Sequence, residues 1–259
     1  MERILIIDPA TASTRILVDL LQNIWPGQIW KTGSTSVGLS MAQTVDPQLI
    51  FVEYAGEGVD GLGFTRRLRR SELACRKAPV VMVTGQATPA VILGARDAGV
   101  HEFLRKPFTN KDLIRRIEAV ARYPRGWVEA VGYVGPDRRR FNSADYKGSR
   151  KRRTDTAEDP QQARVIQALK IIASAVHAME TDPRQAFRAI NAQLAELQAV
   201  GGDDGELTAA VADMLSYLQK VAIGERMERK LLEPLASRII ACLPASQKAG
   251  QAARARTAA

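Results

Sequence analysis

At 259 residues the chain has room for one large domain or two small ones, at ~100–200 residues per domain. With 46% hydrophobic and 25% charged residues it carries enough apolar material for a packed core, which excludes wholesale disorder. Two distant cysteines, Cys75 and Cys242, exclude a disulfide scaffold or a multi-cysteine zinc module, and two histidines, His101 and His177, leave little for a histidine metal site. No run approaches the ~18 apolar residues of a membrane span, and the opening MERILIID reads as a strand rather than a signal peptide, so a cytoplasmic protein without membrane contact is expected. The net charge of +9 is uneven: +4 over residues 1–124, +5 over 125–156, −3 over 157–244 and +3 over 245–259. Two modules joined by a basic linker fit that distribution.

In chain order, residues 3–7 (RILII) form an apolar run that stops at Asp8-Pro9, as a buried parallel strand would. A helix over 12–24 follows from Ile16, Leu17, Leu20, Leu21 and Ile24 at helical spacing and ends at Pro26-Gly27. Residues 28–32 suit a second strand and 34–44 a weaker helix, closed by Asp46-Pro47. Leu49–Val52 is a third strand ending at Glu53, followed by the glycine-rich loop AGEGVDG and a basic helix over 62–70. Val80–Val83 is a fourth strand ending at Thr84-Gly85, and Pro89 to Ala98 a helix with Gly99 at its C-cap. Glu102–Arg105 is a short fifth strand ending at Lys106-Pro107, and Asn110 to Arg122 a closing helix. Five βα units in about 120 residues predict an α/β doubly wound parallel sheet. In such sheets the working residues sit at the carboxyl ends of the strands, here Asp8, Glu53, Thr84 and Lys106.

The pieces EYAGEGVDGL (53–62), VMVTG (81–85) and FLRKPF (103–108), in this order, resemble the response-regulator receiver domain of two-component signalling, with its flavodoxin-like, CheY-type fold. The resemblance spans residue 3 to about 122. It implies a phosphorelay site in which an acidic pair after the first strand holds Mg²⁺ and an aspartate after the third takes a phosphoryl group from a histidine kinase. A hydroxyl after the fourth strand and a lysine after the fifth contact that group. Such a carboxylate is a poor nucleophile, so cations and a hydrogen-bond donor must neutralise the developing charge. Asp8, Thr84 and Lys106 match, Gly85 is small enough for phosphoryl access, and Lys106-Pro107 matches a bond that is often cis in the family. Phe103 stands at the switch-aromatic position and, with Val91, Ile92 and His101, is expected on or near the partner surface, His101 as a surface residue.

Two positions depart from the pattern. Pro9 replaces the second acid, which weakens the Mg²⁺ site at Asp8, and Glu53 replaces the phosphoacceptor aspartate. One extra methylene moves the carboxylate by more than ~1 Å, enough to spoil in-line attack. The expectation is therefore a pseudo-receiver, not an enzyme, acting without phosphorylation or a firmly held Mg²⁺ and through contacts with a signalling partner such as a histidine kinase or output protein. Glu53 then either imitates an acyl phosphate beside Thr84 and Lys106 or pairs with Lys106 in a retired site. A receiver still phosphorylated on Glu53 or on a neighbour such as Glu57 is the remaining alternative.

Receiver-like residues 1–123 are followed by a basic, flexible linker over 124–159. It contains an echo, Tyr133–Arg140 (YVGPDRRR) and Tyr146–Arg153 (YKGSRKRR), thirteen residues apart. Tyrosine faces and the guanidinium forks of Arg138, Arg139, Arg140, Arg150, Arg152 and Arg153 suit a cyclic dinucleotide, a nucleic acid or an acidic protein surface; a solvated spacer is the plain alternative. Residues 160–244 carry four amphipathic stretches, about 160–180, 183–199, 206–222 and 225–243, which predict an all-α helical bundle able to form a homodimer. Met227, Leu231, Leu235 and Ile239 mark the last buried stripe. His177 lacks the flanking residues of a phosphotransfer histidine, and residues 245–259 read as a disordered tail.

Overall fold

The apolar runs become strands of one sheet in the computed structural model, which describes residues 2–138, 160–200 and 205–242. The order is β1 (Arg3–Ile7), α1 (Thr11–Ile24), β2 (Gln28–Thr32), α2 (Thr35–Val45), β3 (Leu49–Glu53), then a short pair, β4 (Ala55–Gly56) and β5 (Val59–Asp60). There follow α3 (Gly61–Arg70), a 3₁₀ turn (Ala74–Lys77), β6 (Val80–Thr84), α4 (Pro89–Ala98), β7 (Glu102–Arg105) and α5 (Asn110–Arg122). Beyond them come two three-residue strands, β8 (Trp127–Glu129) and β9 (Val134–Pro136), and four helices, α6 (Pro160–Ala178), α7 (Pro183–Val200), α8 (Gly205–Ala222) and α9 (Arg229–Ala241). These residues divide into two compact units, 2–128 with 133–138, and 129–132 with 160–200 and 205–242.

In the first unit the sheet order is β2-β1-β3-β6-β7, all parallel. This is the flavodoxin-like order expected from the βα alternation. Alternate side chains of β1, β3, β6 and β7 enter different cores. Ile4, Ile6, Phe51, Val81, Val83 and Leu104 pack with Leu17 and Leu21 of α1 and Leu113 and Ile117 of α5. Leu5, Ile7, Ile50, Val52, Met82 and Phe103 pack with Ala42 of α2, Phe64 and Leu68 of α3 and Ala95 of α4. Both faces are dry, which is why the strands read as unbroken apolar runs. Local chemistry sets the helix ends. Thr88 accepts a hydrogen bond from the Val91 N–H at the start of α4, and Thr109 with Asp112 forms a capping box on α5.

The amino ends of β6 and β7 hold a cluster of cations. Arg69 is fully buried: Nε donates to the Gly99 carbonyl at 3.0 Å and Nη1 to the Arg76 and Ala78 carbonyls at 2.6 and 2.9 Å. Its Nη2 donates to His101 Nδ1 at 3.1 Å, and the Val80 N–H donates to the same nitrogen at 3.3 Å. Two donors on Nδ1 assign His101 as a neutral imidazole. Burial, reinforced by the charges of Arg69 and Arg125, holds its pKa well below the ordinary 6.5. His101 is therefore a buried hydrogen-bond acceptor and not the surface residue expected.

Of the segment read as a linker from residue 124, residues 124–128 and 133–138 belong to the first unit and extend this polar edge. Arg125 Nη2 donates to the Val100 and His101 carbonyls at 3.1 and 2.6 Å, and Nη1 to the Asp137 carbonyl at 3.2 Å. The Trp127 ring lies 5.5 Å from the Arg69 guanidinium, 5.7 Å from that of Arg76 and 5.8 Å from the Lys77 ammonium. Tyr133 is buried, its hydroxyl donates to the Pro136 carbonyl at 2.6 Å, and burial pushes its pKa up to about 12. Gly135, at φ 156°, permits the close approach: a Cβ there would stand 2.8 Å from Gly99 Cα. Three-residue strands are too short to show a period of two, so the sequence pattern carries no sign of them.

In the second unit α6 packs on α7 and α9, and α8 on the same two helices. The core combines Leu169, Ile172, Ile190, Leu194, Met214, Leu218, Leu232 and Ile239. Glu129 belongs to this unit and is buried, with Oε1 accepting from Gln185 Nε2 at 3.0 Å and its carbonyl from Gln193 Nε2 at 3.2 Å. Of the stripe expected on the last helix, Ile239 is buried and Met227 and Leu235 pack against the core, but Leu231 is replaced by Leu232. α9 starts only at Arg229 and buries Leu232, Ala236 and Ile239, leaving Leu231 53% exposed. His177 is exposed. Residues 139–159, 201–204 and 243–259 lie outside the described residues, and with them most of the linker and the tail.

Because His101 takes up a proton less readily when folded, the unfolded chain binds it first, and stability is full above pH 6.5 and falls below it. Urea unfolding followed by fluorescence isolates this unit, since all three tryptophans (Trp25, Trp30, Trp127) lie in it. The midpoint is expected to drop between pH 7 and pH 5. His101→Asn, whose carboxamide oxygen can accept the two hydrogen bonds without titrating, is expected to flatten that drop.

Candidate functional site

A parallel sheet points its strand carboxyl ends the same way, and β1 and β3 flank the point where the strand order reverses. Asp8 follows β1, Glu53 ends β3, Thr84 ends β6 and Lys106 follows β7. The structure brings Asp8, Glu53 and Lys106 into direct contact. Lys106 Nζ donates to Asp8 Oδ2 at 2.7 Å and to Glu53 Oε2 at 2.6 Å. The three side chains are 21%, 6% and 11% exposed, Lys106 being the most open. Burial alone would lower the Lys106 pKa, but the hydrogen bonds to Asp8 and Glu53 and their charges raise it above its ordinary value.

All four carboxylate oxygens accept at least one hydrogen bond. Asp8 Oδ1 accepts from the Ala10 N–H at 2.8 Å, and Oδ2 from the Ser13 hydroxyl at 2.8 Å as well as from Lys106. Glu53 Oε1 accepts from the Tyr54 N–H at 2.8 Å and Oε2 from Lys106. Two carboxylates and one ammonium leave a net charge of −1, spread over bonded oxygens. Pro9 adds no ligating side chain; its ring packs against the backbone of β4, where a Cβ on Gly56 would stand 2.6 Å from Pro9 Cγ.

Thr84 reaches the same edge but is buried, and its Oγ1 accepts from the Gln86 N–H at 3.1 Å. Gly85 beside it opens onto free space, with no heavy atom within 4 Å of where a Cβ would stand. The Lys106-Pro107 bond is cis. Phe103 is not at a surface: it is 4% exposed and belongs to the core beside Phe64 and Met82. Val91 and Ile92 are half-buried against the same core.

Arg138, the first of the six linker arginines, is engaged within its own unit. Its guanidinium lies 4.5 Å from the Tyr133 ring centre, and Nη1 pairs with Asp97 Oδ1 at 3.1 Å. Arg139, Arg140, Arg150, Arg152 and Arg153 lie outside the described residues. Val134 and Pro136, buried in the first copy, are matched in the second by Lys147 and Ser149, which lie outside the described residues.

Ser13 was missed in the sequence, although its place five residues after Asp8, in the first turn of α1, is the available signal. Arg69 was missed because nothing in the run RRLRR separates the buried arginine from the exposed ones. Among the described residues no group of three or more His, Cys, Asp and Glu side chains is arranged to hold a metal ion, and no helix is long and apolar enough to cross a membrane.

Residues 4–118 match the family described as the response regulator receiver domain. The first unit is a receiver domain of two-component signalling. Chemotaxis protein CheY of Pseudomonas aeruginosa is 28% identical over 118 residues, which cover 46% of this chain and 94% of that protein. The cyclic di-GMP phosphodiesterase response regulator RpfG of Xanthomonas campestris pv. campestris is 30% identical over 114 residues, 44% of this chain but only 30% of that protein. The crystallised chemotaxis protein CheY4 of Vibrio cholerae superposes with a TM-score of 0.42 at 19% identity, covering 46% of this chain and 98% of that one.

Replacing Lys106 by Met leaves two part-buried carboxylates of the receiver without their shared donor. Unfolding in urea at neutral pH is expected to show a loss of about 1–3 kcal/mol. Glu53→Gln added to Lys106→Met is expected to recover part of it, because one of the two like charges is gone.

Proposed function

We propose that this receiver is a pseudo-receiver, a phosphorylation-independent and non-enzymatic adaptor that signals through protein contacts. The observation that carries this reading is the Lys106 ammonium bonded to both Glu53 and Asp8. A phosphoacceptor needs a carboxylate oxygen free for in-line attack and a cation free to take up charge on the incoming phosphoryl oxygens. Here the acceptor-position carboxylate and the lysine satisfy one another. Glu53 also bonds the next residue's N–H, which holds its second oxygen.

A divalent cation does not fit this donor set. Such an ion takes oxygen ligands and is held by more than one protein carboxylate where the site is tight. Asp8 already accepts three hydrogen bonds, Pro9 supplies no side-chain oxygen and the ammonium stands between the two acids. The reading therefore includes no Mg²⁺-dependent step. Thr84 supports the retired-site form of the proposal over mimicry of an acyl phosphate, since its hydroxyl bonds Gln86 and not Glu53.

The test is intact-mass measurement after incubation with Mg²⁺ and a small acyl-phosphate donor, taken before any protein acyl phosphate formed can hydrolyse. The wild-type chain is expected to show no phosphoryl adduct, and Glu53→Asp combined with Pro9→Asp is expected to gain one. A Mg²⁺-dependent adduct on the wild type, lost in Glu53→Ala, would overturn the proposal and restore a phosphorelay role.

A further inference from the structure

The carboxyl end of α3 and the 3₁₀ turn after it carry a run of cations that the receiver's own packing does not use up. Residues 61–78 hold six Lys/Arg and one Asp/Glu, a net charge of +5. Arg69 is the fully buried one. Arg66, Arg67, Arg70 and Lys77 are exposed, and the half-buried Arg76 donates through Nε to the Arg69 carbonyl at 3.1 Å. Their spacing sets Arg66, Arg67 and Arg70 on one outward face of α3, while Phe64 and Leu68 are fully buried on the other. The last turn of a helix favours cations, which accounts for Arg67 and Arg70. Arg66 stands before that turn and Lys77 beyond the helix, where the dipole gives no reason for a cation.

The surrounding acids are engaged elsewhere. Asp46 after α2 pairs with Arg3, Asp97 in α4 with Arg96 and Arg138, and Glu102 in β7 with Arg116. Asp60 caps the far end of α3 through the Gly63 N–H, and Asp137 after β9 stands by Arg125. α2, which packs beside α3, contains no charged residue. Within the segment Glu72 faces five exposed or half-buried cations, and Arg66 and Arg67 have no hydrogen-bond or ion-pair partner among the described residues. Behind them, buried Arg69 and half-buried Arg125 add positive charge beside the neutral His101, which raises the potential of the same edge.

We propose that this face docks the phosphate backbone of duplex DNA, without reading its sequence. Guanidinium forks match phosphate oxygens, and such contacts position a protein without carrying sequence information. An acidic protein surface would need an apolar anchor at the centre of the contact, and the apolar side chains of α3 are buried or half-buried. A single strand would need aromatic platforms for its bases, and Phe64, the aromatic residue of α3, is fully buried. The chain's net charge of +9 adds a long-range attraction for a polyanion. The face lies toward the amino edge of the sheet, away from the Lys106 cluster, so DNA docking is independent of whether Glu53 accepts a phosphoryl group.

The experiment uses the full chain, a short fluorescein-labelled DNA duplex of arbitrary sequence and a salt series read by anisotropy. The wild type is expected to bind, with the logarithm of its affinity falling linearly against the logarithm of salt concentration. Arg66→Gln with Arg67→Gln is expected to reduce that slope by about two and to weaken binding at low salt on the order of tenfold, while circular dichroism stays unchanged. The same reduction is expected in a chain that already carries Arg150→Gln, Arg152→Gln and Arg153→Gln, which separates the α3 face from the later arginines. Labelled poly-glutamate and single-stranded DNA are both expected to bind more weakly than the duplex. No duplex binding, a double variant with the wild-type slope, or poly-glutamate or the single strand binding as tightly as the duplex would each overturn the proposal.

Discussion

A parallel sheet buried on both faces leaves polar chemistry only its two edges. The strands β1, β3, β6 and β7 send alternate apolar side chains into two dry cores, so a charge between those cores would lose its hydration. The ionisable groups are pushed to the strand ends, and the two edges handle them differently. At the carboxyl edge Lys106 stands between Asp8 and Glu53, and the charges answer one another. At the amino edge Arg69 and Arg125 meet mainly backbone carbonyls and a neutral imidazole.

The amino edge explains why the receiver unit does not end at α5. The carbonyls of Val100 and His101 lie just ahead of β7 and need donors. Arg125 supplies them, Trp127 covers the Arg69 guanidinium, and Tyr133 with Gly135 closes over Gly99. The basic residues just after α5 are thus in part structural, and Arg138 is spent on Asp97 and the Tyr133 ring. Of the motif of tyrosine, glycine and arginines that reads as a polyanion site in one dimension, Tyr133, Gly135 and Arg138 of the first copy pack within the receiver itself.

The carboxyl edge carries the opposite lesson. Its residues resemble a phosphoryl-transfer site one by one, and their departures from it act together. Pro9 contributes no acid here, and Glu53 reaches Lys106 directly. The result is an ion-paired cluster in which Lys106 bonds both Asp8 and Glu53.

The sequence by itself determined the sheet, the five strands with their alternating helices, and the identity of the residues at the carboxyl edge. Unbroken apolar runs ending in Asp8, Glu53, Thr84 and Lys106 have few other solutions once both faces must be covered. It also placed the four later helices to within a few residues, because their apolar periodicity is long, although one register slip put Leu231 where Leu232 belongs. Only the tertiary structure decided that Lys106 binds both acids, that Phe103 and His101 face inward, and that Trp127–Glu129 and Val134–Pro136 form strands. The reason is common to all three. Each depends on a partner distant in sequence, and three-residue strands, a buried arginine and a bridging lysine leave no periodic trace in the chain that makes them.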